Sequence, residues 1–215
     1  SDTALALVRE AQQIIRPDLR VVIMSATIDT DYICSSLNAP LVESRGRMYD
    51  VEIIHTDETD VYECASHVAS VVMKAHREHE GDILAFLPGQ AEIMRCQEIL
   101  GDSLGSTNVL PLYGMLSPQQ QRRAIMPSSE GERKVVLATS IAETSLTIEG
   151  VRVVVDSGFC RRMVFDPRNG LSHLDTVRIS MDMARQRTGR AGRVGEGICY
   201  RLWTLATEHR MDDCR

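Results

Sequence analysis

The sequence predicts an α/β domain built on a largely parallel sheet, and three features predict it. Apolar runs of strand length recur along the chain, they are continuous rather than alternating, and helix-length segments separate them. A strand covered on both faces is apolar at every position, and the helices between parallel strands supply the crossovers.

The elements follow in order. Ala4 to Ile15 reads as a helix and Val21-Val22-Ile23-Met24 as a strand. Pro40, Gly46 and several charges then interrupt the pattern between Glu43 and Asp50, which marks a domain boundary. One helix and one strand bury no core alone, so residues 1–45 are expected to be the end of a preceding domain and residues 46–215 a second one. In the second, Val51 to Ile54 is a strand, 61–79 a helix, Ile83 to Leu87 a strand and Gln90 to Leu100 a helix. Strands at Val109 to Leu112, Val135 to Ala138, Val151 to Val155 and Ile198 to Leu202 complete the series. The segment 161–178 departs from it: Met163-Val164-Phe165, then Asp166-Pro167-Arg168-Asn169-Gly170, then Leu171 to Val177 spell a β-hairpin with an Asn-Gly turn. With Arg161, Arg162, Arg168 and Arg178 it fits a basic probe, and it fits an ordinary edge hairpin as well. Ligands of such sheets bind beyond the carboxyl ends of the strands, so the residues after each run carry the chemistry.

Composition narrows the class. A chain of 215 residues with 43% hydrophobic and 25% charged residues holds an ordinary core, which excludes disordered, collagen-like and small disulfide scaffolds. No apolar stretch approaches the roughly 20 residues of a membrane span, and the first residues lack the basic and apolar regions of a secretory signal; a soluble, cytoplasmic, monomeric protein with no membrane partner is expected. The six cysteines are far apart with no CxxC pair and read as buried free thiols. The net charge of −6 conceals a split. Residues 1–109 hold 8 basic and 18 acidic side chains, whereas residues 110–215 hold 16 and 12. Nine arginines lie between Arg152 and Arg193, and only Lys74 and Lys134 are lysines, a bias toward the planar fork that grips phosphate and carboxylate.

The strongest local signal is Gln186-Arg187-Thr188-Gly189-Arg190-Ala191-Gly192-Arg193. On a helix, Gln186, Arg190 and Arg193 would share one face, and the two glycines, each costing about 1 kcal/mol there, would mark close approach of another backbone or a phosphate. Such a pair of arginines suits the charge that develops on a transferred phosphoryl group. Thr139 to Gly150, opening as a strand ends, crowds hydroxyls and two carboxylates into one segment. Ser140 with Glu143 fits a capping box, and the remaining hydroxyls suit phosphate or ribose. Ser25-Ala26-Thr27 follows a strand end and by itself reads as a turn into a helix.

Together these segments resemble one family, the DEAH-box ATP-dependent RNA helicases of superfamily 2. Ser25-Ala26-Thr27 is similar to motif III, 83–93 with Leu87-Pro88-Gly89-Gln90 to motif IV, 139–150 to motif V and 186–193 to motif VI. Phe165-Asp166-Pro167, Gly170-Leu171 and Cys199-Tyr200-Arg201-Leu202-Trp203 are most similar to the bacterial HrpB-type branch. The resemblance implies a second RecA-like domain of P-loop NTPase type, preceded by the end of the first, and the hairpin in the place of the strand-separating one. It implies that Arg190 and Arg193 meet the γ-phosphate with Gln186 beside them, that Thr147, Glu149 and Gly189 approach the nucleotide, and that Thr139, Ser140, Gly89, Gln90, Arg161 and Arg162 meet RNA. Ser25 and Thr27 would couple the two RecA-like domains. ATP with Mg²⁺ would be used, with the metal held by the first domain, on single-stranded RNA with 3′ to 5′ polarity. This sequence departs from the family pattern with Ser140 for Asn, Glu149 for Asp and Thr188 for Ala, and it lacks an aromatic near Ile125-Met126 for adenine.

Two absences bear on activity. The sequence has no GxxxxGK[ST] loop and no Asp-Glu-Ala-His run, so these 215 residues alone are expected neither to hydrolyse ATP nor to unwind RNA. The competing class is a noncatalytic RNA-binding adaptor, which has no use for γ-phosphate arginines. His76 and His79 are spaced for a metal but lack a third ligand with Cys, and no nucleophile elbow supports hydrolase chemistry.

Overall fold

The computed structural model describes residues 2–24, 30–42, 49–129, 131–144, 146–168 and 170–213. The chain divides into two compact units, Ser1–Ser44 and Arg45–Arg215.

The first unit holds helices α1 (Asp2–Ile14) and α2 (Thr30–Leu37). The strand expected at Val21 to Met24 is absent: this segment is irregular, with Val22 and Met24 exposed. A strand needs a neighbour to satisfy its backbone groups, and the described residues of this unit contain none. Ser25 and Thr27 lie outside the described residues.

The second unit is built on six parallel strands: β1 (Val51–His55), β2 (Asp82–Phe86), β3 (Asn108–Leu112), β4 (Lys134–Ala138), β5 (Val151–Asp156) and β8 (Gly197–Arg201). Their spatial order is β1-β8-β5-β2-β4-β3. The continuous apolar runs follow from this position, since every residue of β2 and of β4 is buried. Alternation sends Ile83, Ala85 and Leu87 to a core with α3 (Cys64–Glu78) and α4 (Gln90–Leu100), while Leu84 and Phe86 join Leu112, Val136, Val154 and Cys199 on the opposite face. The Arg133 guanidinium closes the carboxyl end of α3 by donating to the carbonyls of His76, His79 and Gly81. On the opposite face α5 (Pro118–Ile125) opens on a Ser117–Gln120 capping box.

The hairpin is a separate antiparallel pair, β6 (Phe159–Asp166) and β7 (Leu171–Arg178). It starts two residues earlier than the expected 161–178, and its turn falls in the expected segment 166–170. Asp166 pairs with Leu171, so four residues connect the strands. The Asp166 side chain and carbonyl accept from the amides of Arg168 and Gly170, which closes the turn. A third apolar cluster, Cys160, Ile179, Met183, Ala184 and Trp203, anchors the hairpin root to α7 (Met181–Thr188).

Candidate nucleotide and nucleic-acid interface

The carboxyl ends of β2 and β4 and the hairpin hold Gly89, Gln90, Thr139, Ser140, Arg161 and Arg162, whereas the segment after α6 and the loop after α7, with Thr147, Glu149, Arg190 and Arg193, run on toward the amino ends of β5 and β8. After β4, Thr139 and Ser140 are half-buried and start the single turn α6 (Ile141–Thr144), where the Ala142 and Glu143 amides donate to the Thr139 and Ser140 carbonyls. Glu143 is buried, and beyond it Thr147 and Glu149 are exposed.

The helix predicted through 186–193 stops early. Helix α7, capped by Ser180, ends at Thr188, and residues 189–196 form consecutive turns. The shared helical face of Gln186, Arg190 and Arg193 therefore does not exist, and the three residues reach the site by different routes. Gln186 is half-buried on α7. Arg190 is buried, with Nε and Nη2 donating to the Glu143 carbonyl and Nη1 to the Leu146 carbonyl at 2.6 Å. Burial, with the like charge of Arg193, pulls its pKa down to about 10, so it stays protonated at neutral pH. Arg193 is exposed, and its Nη1 donates to the Thr147 hydroxyl at 2.9 Å. Two residues expected at the nucleotide are thus already adjacent.

Gly192 is explained by a backbone rather than a phosphate. A Cβ there would lie 2.5 Å from the Tyr49 carbonyl oxygen, and the Gly192 carbonyl accepts from the Tyr49 amide at 2.9 Å. Gly192→Ala is expected to cost about 1–3 kcal/mol, read as a lower urea midpoint with an unchanged m-value.

Arg187, which sequence reasoning did not single out, is wholly buried. Its Nε and Nη2 lie 2.8 and 2.7 Å from Glu143 Oε1, and Nη1 lies 2.7 Å from Asp156 Oδ1. Both Nη groups also reach the Phe159 carbonyl at 3.3 Å, and the guanidinium stacks on Phe86 at 4.7 Å. Burial opposes the charge, but Asp156 and Glu143 together hold its pKa above the ordinary arginine value. The available signal was one acid at the end of β5 and another in the turn after β4, with nothing to say which arginine they would take. Thr188, the departure from alanine, accepts from Arg201 Nη2 and donates to Cys199 Sγ, which ties α7 to β8.

At the end of β2, Gly89 caps α4 with extended backbone. A Cβ on it would meet Arg161 Nε at 2.7 Å, because the Arg161 guanidinium lies across the glycine and pairs with Glu92 at 3.4 Å. Gln90 and Arg162 are exposed beside it. His76 and His79 bond to Thr107 and Tyr200, and among the described residues no three His, Cys, Asp or Glu side chains converge as a metal site.

A parallel sheet with this strand order, an inserted hairpin and arginines gathered on the segment after β4 define a RecA-like helicase domain. The model of the helicase conserved C-terminal domain matches residues 64–195, and the chain belongs to that family. It is 48% identical over 204 residues to the ATP-dependent RNA helicase HrpB of Escherichia coli K12, covering 94% of this chain and 25% of that protein. To the pre-mRNA-splicing factor ATP-dependent RNA helicase prp22 of Schizosaccharomyces pombe it is 44% identical over 197 residues, covering 88% of this chain and 17% of that one. The crystal structure of the E. coli DEAH/RHA helicase HrpB superposes with a TM-score of 0.91 at 45% identity, covering 99% of this chain and 27% of that chain. The chain spans about a quarter or less of the curated relatives it matches. No helix among the described residues is long and apolar enough to cross a membrane.

Proposed function

We propose that this chain is the second RecA-like half of an ATP-dependent RNA helicase, with the boundary near residue 45, and that it completes a nucleotide site whose other half lies on the first RecA-like domain. The observation that carries this reading is the arrangement of Arg193 and Arg190 around the segment 143–147, with one guanidinium exposed beside the Thr147 hydroxyl. Cations and a hydroxyl grouped there match a triphosphate and its ribose, and Gln186, Gly189 and Glu149 are proposed to approach the same nucleotide. In this reading Arg193 neutralises charge developing on the γ-phosphoryl group, and Arg190 joins it by leaving its carbonyl partners or acts by holding the segment in place. Magnesium would be held by the nucleotide phosphates and the first domain.

The nucleic-acid strand would lie across Thr139, Ser140, Gly89 and Gln90, with Arg162 and the hairpin flanking it. These groups address backbone phosphate and sugar rather than base edges, so binding would depend on salt and little on sequence. Arg161, already paired with Glu92, would first position the hairpin against the 87–90 loop. RNA as the strand, movement 3′ to 5′, Ser25 and Thr27 as links between the RecA-like domains, a monomeric state and a cytoplasmic location complete the proposal.

An ATPase assay separates the half-site reading from the adaptor. The 215-residue chain alone is expected to show no RNA-stimulated ATP hydrolysis, while the full-length protein hydrolyses ATP and is stimulated by single-stranded RNA. Turnover by the isolated chain would contradict the half-site; a full-length protein that binds RNA without turnover would favour the adaptor.

A further inference from the structure

We infer, building on the helicase reading, that Glu143 and Arg187 form a positioning pair through which nucleic-acid binding is communicated to the nucleotide-facing arginines. Glu143 is held from two sides. Its carboxylate receives Arg187 on α7, and its carbonyl receives Arg190, three residues further along the chain. It also sits at the centre of a segment whose leading end carries Thr139 and Ser140 and whose trailing end carries Thr147, the partner of Arg193. A shift of α6 caused by a strand lying on Thr139 and Ser140 moves both anchor points of Arg190 and the hydroxyl under Arg193.

The same guanidinium reaches the hairpin. Arg187 bonds to the carbonyl of Phe159, the first residue of β6, two residues before Arg161, and to Asp156 at the end of β5. One side chain thus contacts α6, the end of β5 and the hairpin root while belonging to the helix that leads into Arg190 and Arg193. Being wholly buried, Arg187 touches no ligand itself and acts only through these neighbours. Two carboxylates facing one guanidinium leave the cluster with an excess negative charge, and Asp156 Oδ2 has no hydrogen-bond partner among the described residues. Neutralising Glu143 therefore loosens the pair without stranding the arginine, since Asp156 remains.

The test uses the full-length protein carrying Glu143→Gln and, separately, Arg187→Lys, with oligouridylate as the RNA. Basal and RNA-saturated ATP turnover, the Kd for the RNA without nucleotide, and Tm are measured for each. The expected result is an RNA stimulation ratio lowered about 10-fold in both variants with an unchanged RNA Kd. A ratio like that of the wild type in either variant, including the case where Tm drops and both turnovers fall by one factor, overturns the inference and leaves the pair as a structural ion bridge. A wild-type protein without RNA-stimulated turnover would overturn the helicase reading itself and this inference with it; a stimulated wild type with equally stimulated variants overturns this inference alone.

Discussion

Arg193→Ala in the full-length protein is expected to lower RNA-stimulated ATP turnover by about 10³-fold while nucleotide binding survives. The size follows from removing a cation that acts on charge present in the transition state and largely absent in the bound ground state. Arg193 is exposed and bonded to an exposed hydroxyl, so its removal leaves the folded state within about 0.5 kcal/mol of the parent. Arg190→Ala gives a different pattern. Its guanidinium satisfies the Glu143 and Leu146 carbonyls, and losing it costs about 1–3 kcal/mol in addition to turnover. Steady-state kinetics with a thermal melt on each variant read the two patterns. Equal loss of turnover and stability in Arg193→Ala would refute its assignment as the exposed cation of the site.

Arg187→Ala is expected to have the largest effect on the fold. It leaves Glu143 and Asp156 as buried carboxylates without their cation and empties the space against Phe86. Breaking a buried pair from one side costs about 3–5 kcal/mol, which for a domain of this size is roughly 10 °C in Tm. The two faces of the sheet, each with its own apolar core, set what remains after that loss. A melt of Arg187→Ala within a degree or two of the parent would show that the junction adds nothing to stability.

Much of this fold was legible in the sequence because the sheet is parallel and doubly covered. Strands such as Ile83 to Phe86 and Val135 to Ala138 are apolar at each position for that reason, and their order along the chain set the class. The exceptions have physical causes. Val21 to Met24 has strand composition but no neighbour among the described residues of its unit to pair with. Residues 186–193 were read on one helical period, yet the chain leaves the helix after Thr188, and Gly192 serves the approach of the Tyr49 carbonyl. The hairpin was legible from its turn residues, with Asp166 capturing the Arg168 amide at the start of the four-residue connection. The arginine-rich stretch announced phosphate chemistry as a group, but composition does not tell which arginine turns inward. Arg187 differs from Arg190 and Arg193 only in what the fold places around it: the carboxylates of Asp156 at the end of β5 and Glu143 in α6, and the carbonyl at the hairpin root.

The most direct measurement is a structure of the full-length protein with ADP–beryllium fluoride and single-stranded RNA. The expected result places the Arg193 guanidinium at hydrogen-bond distance, about 3 Å, from the fluoride that stands for the γ-phosphate, with its bond to Thr147 exchanged for the nucleotide and the RNA backbone on Thr139 and Ser140. A fluoride contacted by no arginine of this chain, with Arg193 still on Thr147 and Arg190 still on the Glu143 and Leu146 carbonyls, would contradict the composite site.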